Sequence, residues 1–427
     1  MNFAFFTLGC KANQFDTQAM ETLLRARGHK ITGPARADVC VVNTCTVTGE
    51  ADRKCRQTVR RVRRKHPAAL LAVCGCMCQI DPDAARNIGA DVVGGSGDRA
   101  GFLDAIERAY RSRTPEGTVS AHTRAETFEM LPAGSADRRT RALLKVEDGC
   151  DNYCSYCIIP YARGHVRSMP IPDAVRETVR LRNEGFRECV VTGIEISSYG
   201  RDLPDTPTLT DLICALCDAA GDMRVHLGSL EPRTVDRSFC EKLSGYANLC
   251  PHFHLSLQSG CDATLSRMRR RYTTARFLES VTLLREYFDN CLITTDLITG
   301  FPGETEDEFR ETLAFLETVR FGTVHIFPYS ERTGTAAAAL PQLPHAVREE
   351  RARRASEIAQ KTKADFLASQ LGCTLDVLFE TSGGGVWTGH AQNYVEVYVI
   401  SDEPLHNVRR PVQVTGVRDD GVTGVLI

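Results

Sequence analysis

Gly149-Cys150-Asp151-Asn152-Tyr153-Cys154-Ser155-Tyr156-Cys157 is the stretch whose reading decides the fold. Its cysteines are spaced C-x3-C-x2-C, which puts three thiolates within eight residues. Such a triplet can ligate three irons of a cubane [4Fe–4S] cluster and leave the fourth iron to a ligand that is not protein. An electron-carrying cluster normally has all its irons bound by protein, so an open iron points to chemistry. A zinc site is the competing reading. Zinc ligands, however, usually come as two separated C-x2-C-type pairs, and no fourth ligand stands near this triplet.

The triplet directly follows a strand-like run, Arg141–Glu147, which opens a series of alternating strands and helices. The other strand candidates are Glu188–Gly193, Arg224–Gly228, His252–Ser256, Leu292–Ile298 and Thr323–Pro328, with helical stretches such as Pro172–Asn183, Leu209–Ala220 and Glu306–Val319 between them. Six such units predict a partial (β/α)6 barrel with its site at the C-terminal strand ends, where the triplet stands.

Upstream, Phe3–Thr7, Val39–Asn43, Leu70–Val73 and Asp91–Val93 alternate with helical patterns at Thr17–Arg27 and Glu50–His66, an α/β pattern with a parallel sheet. Thr114–Asp137, rich in Thr, Ala, Gly and Pro, reads as a linker, and Ala346–Gln370 as a charged helical connector. From Cys373 onward, short alternating strands that include Tyr394–Ile400 and Val412–Val417 suggest a small β-barrel. The expected fold class is therefore α/β, divided at 1–125, 136–365 and 366–427.

The chain has 427 residues, 42% of them hydrophobic and 25% charged, enough for a large core in the manner of an ordinary soluble protein. Its 18 cysteines are too many for a typical cytosolic chain unless some bind metal. Nothing suggests secretion, so a disulfide framework is not expected. The run Met1–Cys10 lacks a positive n-region and is too short for a signal peptide, so it reads as a first strand. No stretch reaches the roughly 18 apolar residues that span a membrane. The expected compartment is the reducing cytoplasm, with no membrane partner.

A net charge of −2 hides an uneven distribution. Arg53–Lys65 holds eight basic residues and no acidic one, and further clusters stand at Arg138-Arg139-x-Arg141 and Arg267-x-Arg269-Arg270-Arg271. A basic run is usually a solvated face. Three in a near-neutral chain point to a polyanionic partner.

The N-terminal part carries a second set of cysteines at strand ends: Cys10 after the first strand, Cys45 after the second, and Cys74, Cys76 and Cys78 after the third. Those ends lie side by side in a parallel sheet, so one thiolate from each can converge on a second cluster. In an extended segment Cys74, Cys76 and Cys78 face the same way, and geometry leaves the choice among them open. Cys40, within a strand, and Cys55, on the basic helix, are less well placed. The Cys214–Cys217 pair, in an apolar helical setting, reads as core.

Together these residues resemble the radical S-adenosylmethionine (SAM) methylthiotransferases over nearly the whole chain. The resemblance rests on Thr7-Leu-Gly-Cys-Lys-Ala-Asn-Gln14, Val42-Asn-Thr-Cys-Thr-Val-Thr48, Gly75-Cys-x-x-Gln79, Gly149–Cys157 and Ile159-Pro-Tyr-Ala-Arg-Gly164. It continues through His254-Leu-Ser-Leu-Gln-Ser-Gly260, Met268-Arg-Arg-Arg-Tyr-Thr273, Gly300-Phe-Pro-Gly-Glu-Thr305 and Phe327-Pro-Tyr-Ser330, and the terminal barrel resembles a TRAM domain. The alignment selects Cys76 as third ligand beside Cys10 and Cys45. It implies two [4Fe–4S] clusters with SAM on the cluster of Cys150, Cys154 and Cys157, and an electron donor such as flavodoxin or ferredoxin. Tyr156 occupies the position that often lies against the SAM adenine, and Gln258 and Asp296, at or near strand ends, are candidates for the SAM polar groups.

Cys10-Lys-x-Asn-Gln14 and His325-Ile-Phe-Pro-Tyr329 are similar to the MtaB type. The resemblance then implies methylthiolation of carbon 2 of N6-threonylcarbamoyladenosine beside the anticodon of tRNA. Methylthiotransferases acting on isopentenyladenosine or on a ribosomal protein are the alternatives. The terminal barrel favours the last, because residues 373–427 hold seven acidic residues against three arginines. Lys11 and Gln14 favour tRNA. On the tRNA reading Arg269–Arg271 are the first candidates for phosphate contacts, with Arg409–Arg410 beside Tyr394 or Trp387 as a local patch on the barrel. An electron-transfer protein without catalysis would need a fourth cysteine for each cluster, and none is suitably spaced.

Overall fold

The computed structural model describes residues 1–134 and 140–427. Its N-terminal part is a six-stranded sheet of β1 (Asn2–Thr7), β2 (Lys30–Ile31), β3 (Val39–Thr44), β4 (Leu70–Gly75), β5 (Val92–Gly94) and β6 (Glu116–Thr118), in the order β2-β1-β3-β4-β5-β6. Every pairing is parallel. β3 and β4 are buried along their whole length, which is why they read as continuous runs of Val, Leu, Ala and Cys rather than alternating ones. Helices α1 (Lys11–Ala26), α2 (Gly49–Lys65) and α3 (Cys76–Ile80) each begin close after a strand end. In α2 the Thr48 hydroxyl accepts from Ala51 N at 3.1 Å, acidic residues fill the first turn, and Arg63, Arg64 and Lys65 complement the dipole at the last.

The sequence reading missed β2 and β6, short edge strands with little apolar signal. β6 falls within the expected linker, and that stretch is not a free tether: Phe128, Leu131 and Ala133 are buried in the central core. The basic residues Arg138 and Arg139, like the boundary expected at 136, lie outside the described residues.

All six expected strands of the central part form, as β7 (Arg141–Lys145), β10 (Glu188–Thr192), β11 (Arg224–Leu227), β13 (His252–Leu255), β14 (Leu292–Thr299) and β15 (Thr323–Pro328). A short hairpin, β8 (Glu147–Asp148) with β9 (Arg167–Ser168), and the two-residue β12 (Ser229–Leu230) are additional. Parallel sections β7-β10-β11 and β12-β13-β14-β15 meet where Val225 of β11 bridges Leu249, in the segment leading into β13, and together form an open barrel. The helix His345–Ser369 then leads into a closed five-stranded barrel of β16 (Thr374–Gly383), β17 (Val386–Ala391), β18 (Glu396–Ile400), β19 (Arg409–Arg418) and β20 (Gly421–Leu426), filled by Val377, Phe379, Val397, Val412 and their neighbours.

Candidate active site

Helix α1 packs against β7, and α3 against the short helix Ile159–Arg163, so the strand ends of the N-terminal sheet face the Cys150 loop. Cys10 is the N-cap of α1, Cys45 follows β3 directly, and Cys76 opens α3. Two glycines bring these positions together. Gly9 has φ +108° and lies so near Cys45 that a Cβ would stand 2.7 Å from the Cys45 Cβ. Gly75 has φ +100°, and a Cβ there would meet the Thr44 carbonyl at 2.5 Å. Asn13 ties the loops, donating to the carbonyls of Leu8 at 2.9 Å and Thr44 at 2.8 Å.

The chain turns into a helix at Gly75, so the 74–78 segment is not extended and the trio does not share a direction. Cys74 enters the core with Phe3 and Met20, Cys78 enters the core on the opposite face of the sheet, and Cys76 remains with Cys10 and Cys45. Burial, together with the neighbouring Cys76 and Cys10, pushes the Cys45 thiol up to about 12. Cys55 lies closer to Cys45 than its place on a basic helix suggested: its Sγ accepts from Cys45 N at 3.2 Å.

Gly149 delivers the second triad. With φ +87°, a Cβ there would stand 1.9 Å from the His165 carbonyl, so only glycine fits. Ser155 straps the loop down, through its N–H to Met268 O at 3.0 Å and its hydroxyl to Arg267 O at 2.8 Å. Cys150 and Cys154 are buried and Cys157 partly so. Burial and the neighbouring Cys154 push Cys157 up to about 12. Arg270 donates to Cys154 Sγ at 3.3 Å and to the Tyr272 hydroxyl at 3.1 Å. It therefore turns inward, and of the trio expected to contact phosphates only Arg269 and Arg271 are exposed.

An acidic wall stands beside this triad. The fully buried Glu147 accepts from the backbone N–H groups of Ile194 at 2.8 Å and Glu195 at 2.7 Å. Burial and the nearby Glu231 push Glu195 up to about 6, and its charge reaches Cys150 and Cys157.

A buried ionic network joins the two triads. Arg163 donates to Cys76 Sγ at 3.3 Å and to Asp16 and Asp148, both at 3.0 Å, while also reaching the Asn13 side-chain oxygen. Lys145 bonds Asp16 at 2.6 Å and Asp148 at 2.9 Å, and Arg99 bonds Asp16 at 2.9 Å. The sequence reading assigned no role to Arg163, Asp148 or Glu195, and it took Arg270 for a phosphate contact. The available signal was a charged residue inside an otherwise apolar strand or motif: Lys145 at the end of β7, and Arg163 in Ile159–Gly164.

Of the remaining expected residues, Tyr156 packs edge-on against Phe301, ring centres 6.5 Å apart, beside Met268. Gln258 follows β13 with φ +67°, its N–H donating to Asp296 O at 2.9 Å. Asp296 stands mid-way along β14 rather than at its end, with its carboxylate 3.3 Å from His254 Nε2. The barrel patch expected around Arg409 and Arg410 is not free, since Asp376 pairs with Arg409 and Glu403 with Arg410 at 3.0 Å. Tyr394 is likewise occupied, stacked 4.8 Å from both His252 and His390.

Two family descriptions match the chain, Radical SAM superfamily over residues 144–316 and Uncharacterized protein family UPF0004 over residues 2–95. Threonylcarbamoyladenosine tRNA methylthiotransferase MtaB from Bacillus subtilis is 35% identical across 94% of this chain and 91% of its own length. The chain belongs to the radical-SAM methylthiotransferase family. The Thermotoga maritima protein of the same name is 33% identical across 97% of this chain and 95% of its own length. A tRNA-2-methylthio-N(6)-dimethylallyladenosine synthase from Thermoanaerobacter is 30% identical, covering 99% of this chain and 92% of its own. Among solved structures, the radical SAM methyltransferase TsrM from Kitasatospora setae shares the fold, with a TM-score of 0.57 at 16% identity over 90% of this chain and 79% of that one.

Enzymes of this family use SAM and [4Fe–4S] clusters, and the thiols of this methylthiotransferase suit them. All 18 cysteines are free, and each triad combines soft donors with a guanidinium donating to one sulfur. Thiols that burial and mutual repulsion keep protonated become thiolates beside a cationic metal group. Among the described residues no helix is long and apolar enough to cross a membrane.

Proposed function

We propose that this methylthiotransferase adds a methylthio group to carbon 2 of N6-threonylcarbamoyladenosine next to the anticodon of tRNA, in the cytoplasm. The observation that carries the reading is the pair of thiol triads, one from each α/β part, tied together through Arg163. In this proposal residues 1–125 form the methylthiotransferase domain, 136–365 the radical SAM domain and 366–427 a TRAM-like domain. Cys150, Cys154 and Cys157 hold one [4Fe–4S] cluster, and Cys10, Cys45 and Cys76 the other. When bound with SAM, such groups supply a carbon radical and a transferable methylthio group, chemistry that no side-chain base offers at an unactivated carbon–hydrogen bond.

The chain's own residues then bind, orient and shield. Arg270 and Arg163 fix Cys154 and Cys76 through N–H···S bonds. Tyr156, Gln258 and Asp296 contact SAM, and the acidic wall of Glu195 and Glu231 suits its ammonium group. A flavodoxin or ferredoxin supplies electrons. The target adenine leaves the anticodon stack to reach the site. Exposed Arg60, Arg61 and Arg64 of α2, which share a concave surface with Leu8 near Cys10, meet phosphates. The threonylcarbamoyl substrate is favoured because the Bacillus relative bears that name at 35% identity across 94% of this chain, whereas a dimethylallyl-type relative is 33% identical across 88%.

Mass spectrometry of tRNA nucleosides from a strain lacking this protein, compared with its parent, tests the reading. Loss of the 2-methylthio form with accumulation of N6-threonylcarbamoyladenosine is the expected result. Unchanged nucleosides would overturn it and redirect the search to ribosomal proteins.

A further inference from the structure

A cavity of about 490 Å³ lies inside the open barrel, walled by β13, β14 and β15 on one side and by Tyr394–Glu396 and Asp420 of the terminal barrel on the other. Lys11, covalently next to Cys10, reaches its wall from α1. The size suits a small organic group rather than a few waters.

The charges of that wall are unequally satisfied. Asp420 is bonded to Lys363 at 2.7 Å, Asp296 faces His254 at 3.3 Å, and Glu396 accepts from the Tyr398 hydroxyl at 2.7 Å. Glu188, whose field reaches Lys11 from deeper in the barrel, is committed to Arg224 at 2.9 Å and His226 at 3.1 Å. Lys11 and His325, in contrast, have no hydrogen-bond or ion-pair partner among the described residues, and both keep open surface. The cavity thus presents one ammonium and one imidazole without a partner among the described residues, while each of its carboxylates already has a neighbouring donor. At that end of the cavity the unpaired ammonium and imidazole offer local partners to an anion that also carries hydrogen-bonding groups.

We infer that this cavity receives the N6 substituent of the target nucleotide, with the Lys11 ammonium as partner of its carboxylate and the His325 ring facing its hydroxyl or carbamoyl group. The inference rests on the threonylcarbamoyladenosine reading. A threonylcarbamoyl group is joined through the threonine nitrogen, so its carboxylate and hydroxyl remain free, whereas a dimethylallyl group has neither. A carboxylate held at Lys11 stays within one side-chain length of the Cys10 triad, where carbon 2 of the same base must come. An apolar substituent would leave the Lys11 charge desolvated and unpaired, which selects against it.

The test measures binding and methylthiolation of anticodon stem-loop RNAs by the cluster-loaded enzyme and by Lys11→Met and Lys11→Arg variants. One RNA carries threonylcarbamoyladenosine, and the other its carboxamide, in which the carboxylate is an uncharged amide. The native enzyme is expected to bind the carboxylate RNA on the order of 10- to 100-fold more tightly, Lys11→Met to lose that preference, and Lys11→Arg to keep most of it. Iron content measured on each variant separates loss of recognition from loss of the neighbouring cluster. Equal affinity of the native enzyme for the two RNAs, with turnover of both, would overturn the inference and leave the proposed function standing. No turnover of either RNA, with methylthiolation of a dimethylallyladenosine RNA or a ribosomal protein, would overturn both.

Discussion

Arg163 Nε stands 3.3 Å from Cys76 Sγ, while the same guanidinium bonds Asp148, two residues before Cys150, at 3.0 Å. One side chain thus touches a ligand candidate of the N-terminal sheet and the strand that leads into the triad of the barrel. Around it, the cations Arg99, Lys145 and Arg163 face the carboxylates Asp16 and Asp148, and all five are buried. The surplus positive charge lies against Cys76. Burial pushes that thiol up and Arg163 pulls it down.

Replacing Arg163 with Met leaves two buried carboxylates short of a partner. A loss of about 3–5 kcal/mol of stability is expected, since removing one member of a buried ion cluster strands the others. Arg163→Lys restores charge but not the fork that reaches Cys76, Asp16 and Asp148 together, so it should recover only part of the loss. Denaturant unfolding of the three proteins checks the order.

The cysteines of the 74–78 segment separate cleanly. Cys76→Ala is expected to lower bound iron from about eight to about four atoms per chain, as two cubane clusters become one. Cys74→Ala and Cys78→Ala should leave iron content near the native level, with some loss of stability from their core positions. Iron analysis after anaerobic reconstitution decides it. Equal iron in all three variants would remove Cys76 from the ligand set.

The principal strands and the Cys150-Cys154-Cys157 triplet were legible in the sequence because their signals are local. Val39–Val42 is an unbroken apolar run, and Cys150, Cys154 and Cys157 fall within one turn-rich loop. What escaped depends on pairing across long sequence distances. Asp16, Lys145 and Arg163 become one network only when α1 packs against β7, and nothing local to any of them announces it. Arg270 read as a phosphate contact because its neighbours are basic, yet the backbone directs it to a sulfur. Cys74, Cys76 and Cys78 could not be separated while the positive φ of Gly75 was unknown, because an extended reading gives all three one direction.

Acid should act on the same network. Burial would raise the Asp16 carboxyl, but Lys145, Arg163 and Arg99 outweigh it and hold it down to about 2. A folded value below the unfolded one of about 3.9 means the stabilisation is full above that pH and is lost as pH falls toward about 2. Its size is ~2 kcal/mol. Stability measured at a series of pH values should fall across that window, and Asp16→Asn should flatten the fall while lowering stability near neutrality.

Arg270 offers a spectroscopic readout. Its N–H donates to Cys154 Sγ, and donors to ligand sulfurs stabilise the more reduced, more negative cluster. Arg270→Leu is expected to shift the midpoint potential of the Cys150 triad's cluster to more negative values and to slow SAM cleavage, with iron content retained. A redox titration followed by electron paramagnetic resonance measures this directly. An unchanged potential would confine Arg270 to packing.

The α2 helix carries the last prediction, because its basic residues are not equivalent. Arg53 and Lys54 pair with Glu50, Arg56 with Asp52, and Arg63 with Asp91 and the Gly89 carbonyl. Arg60, Arg61 and Arg64 are exposed, and among the described residues none of them has an ion-pair partner. A cation that binds phosphate releases condensed counterions. Removing one such cation lowers the salt slope of binding to a single-stranded loop by about 0.7 and to a duplex by about 0.9. Arg60→Gln, Arg61→Gln and Arg64→Gln combined should therefore flatten the dependence of tRNA affinity on salt by roughly 2 to 3 in the log–log slope. The same number of changes at Arg53, Lys54 and Arg56 should flatten it less, because those charges are already neutralised within the helix. Equal slopes for the two triple variants would move the RNA track away from this face.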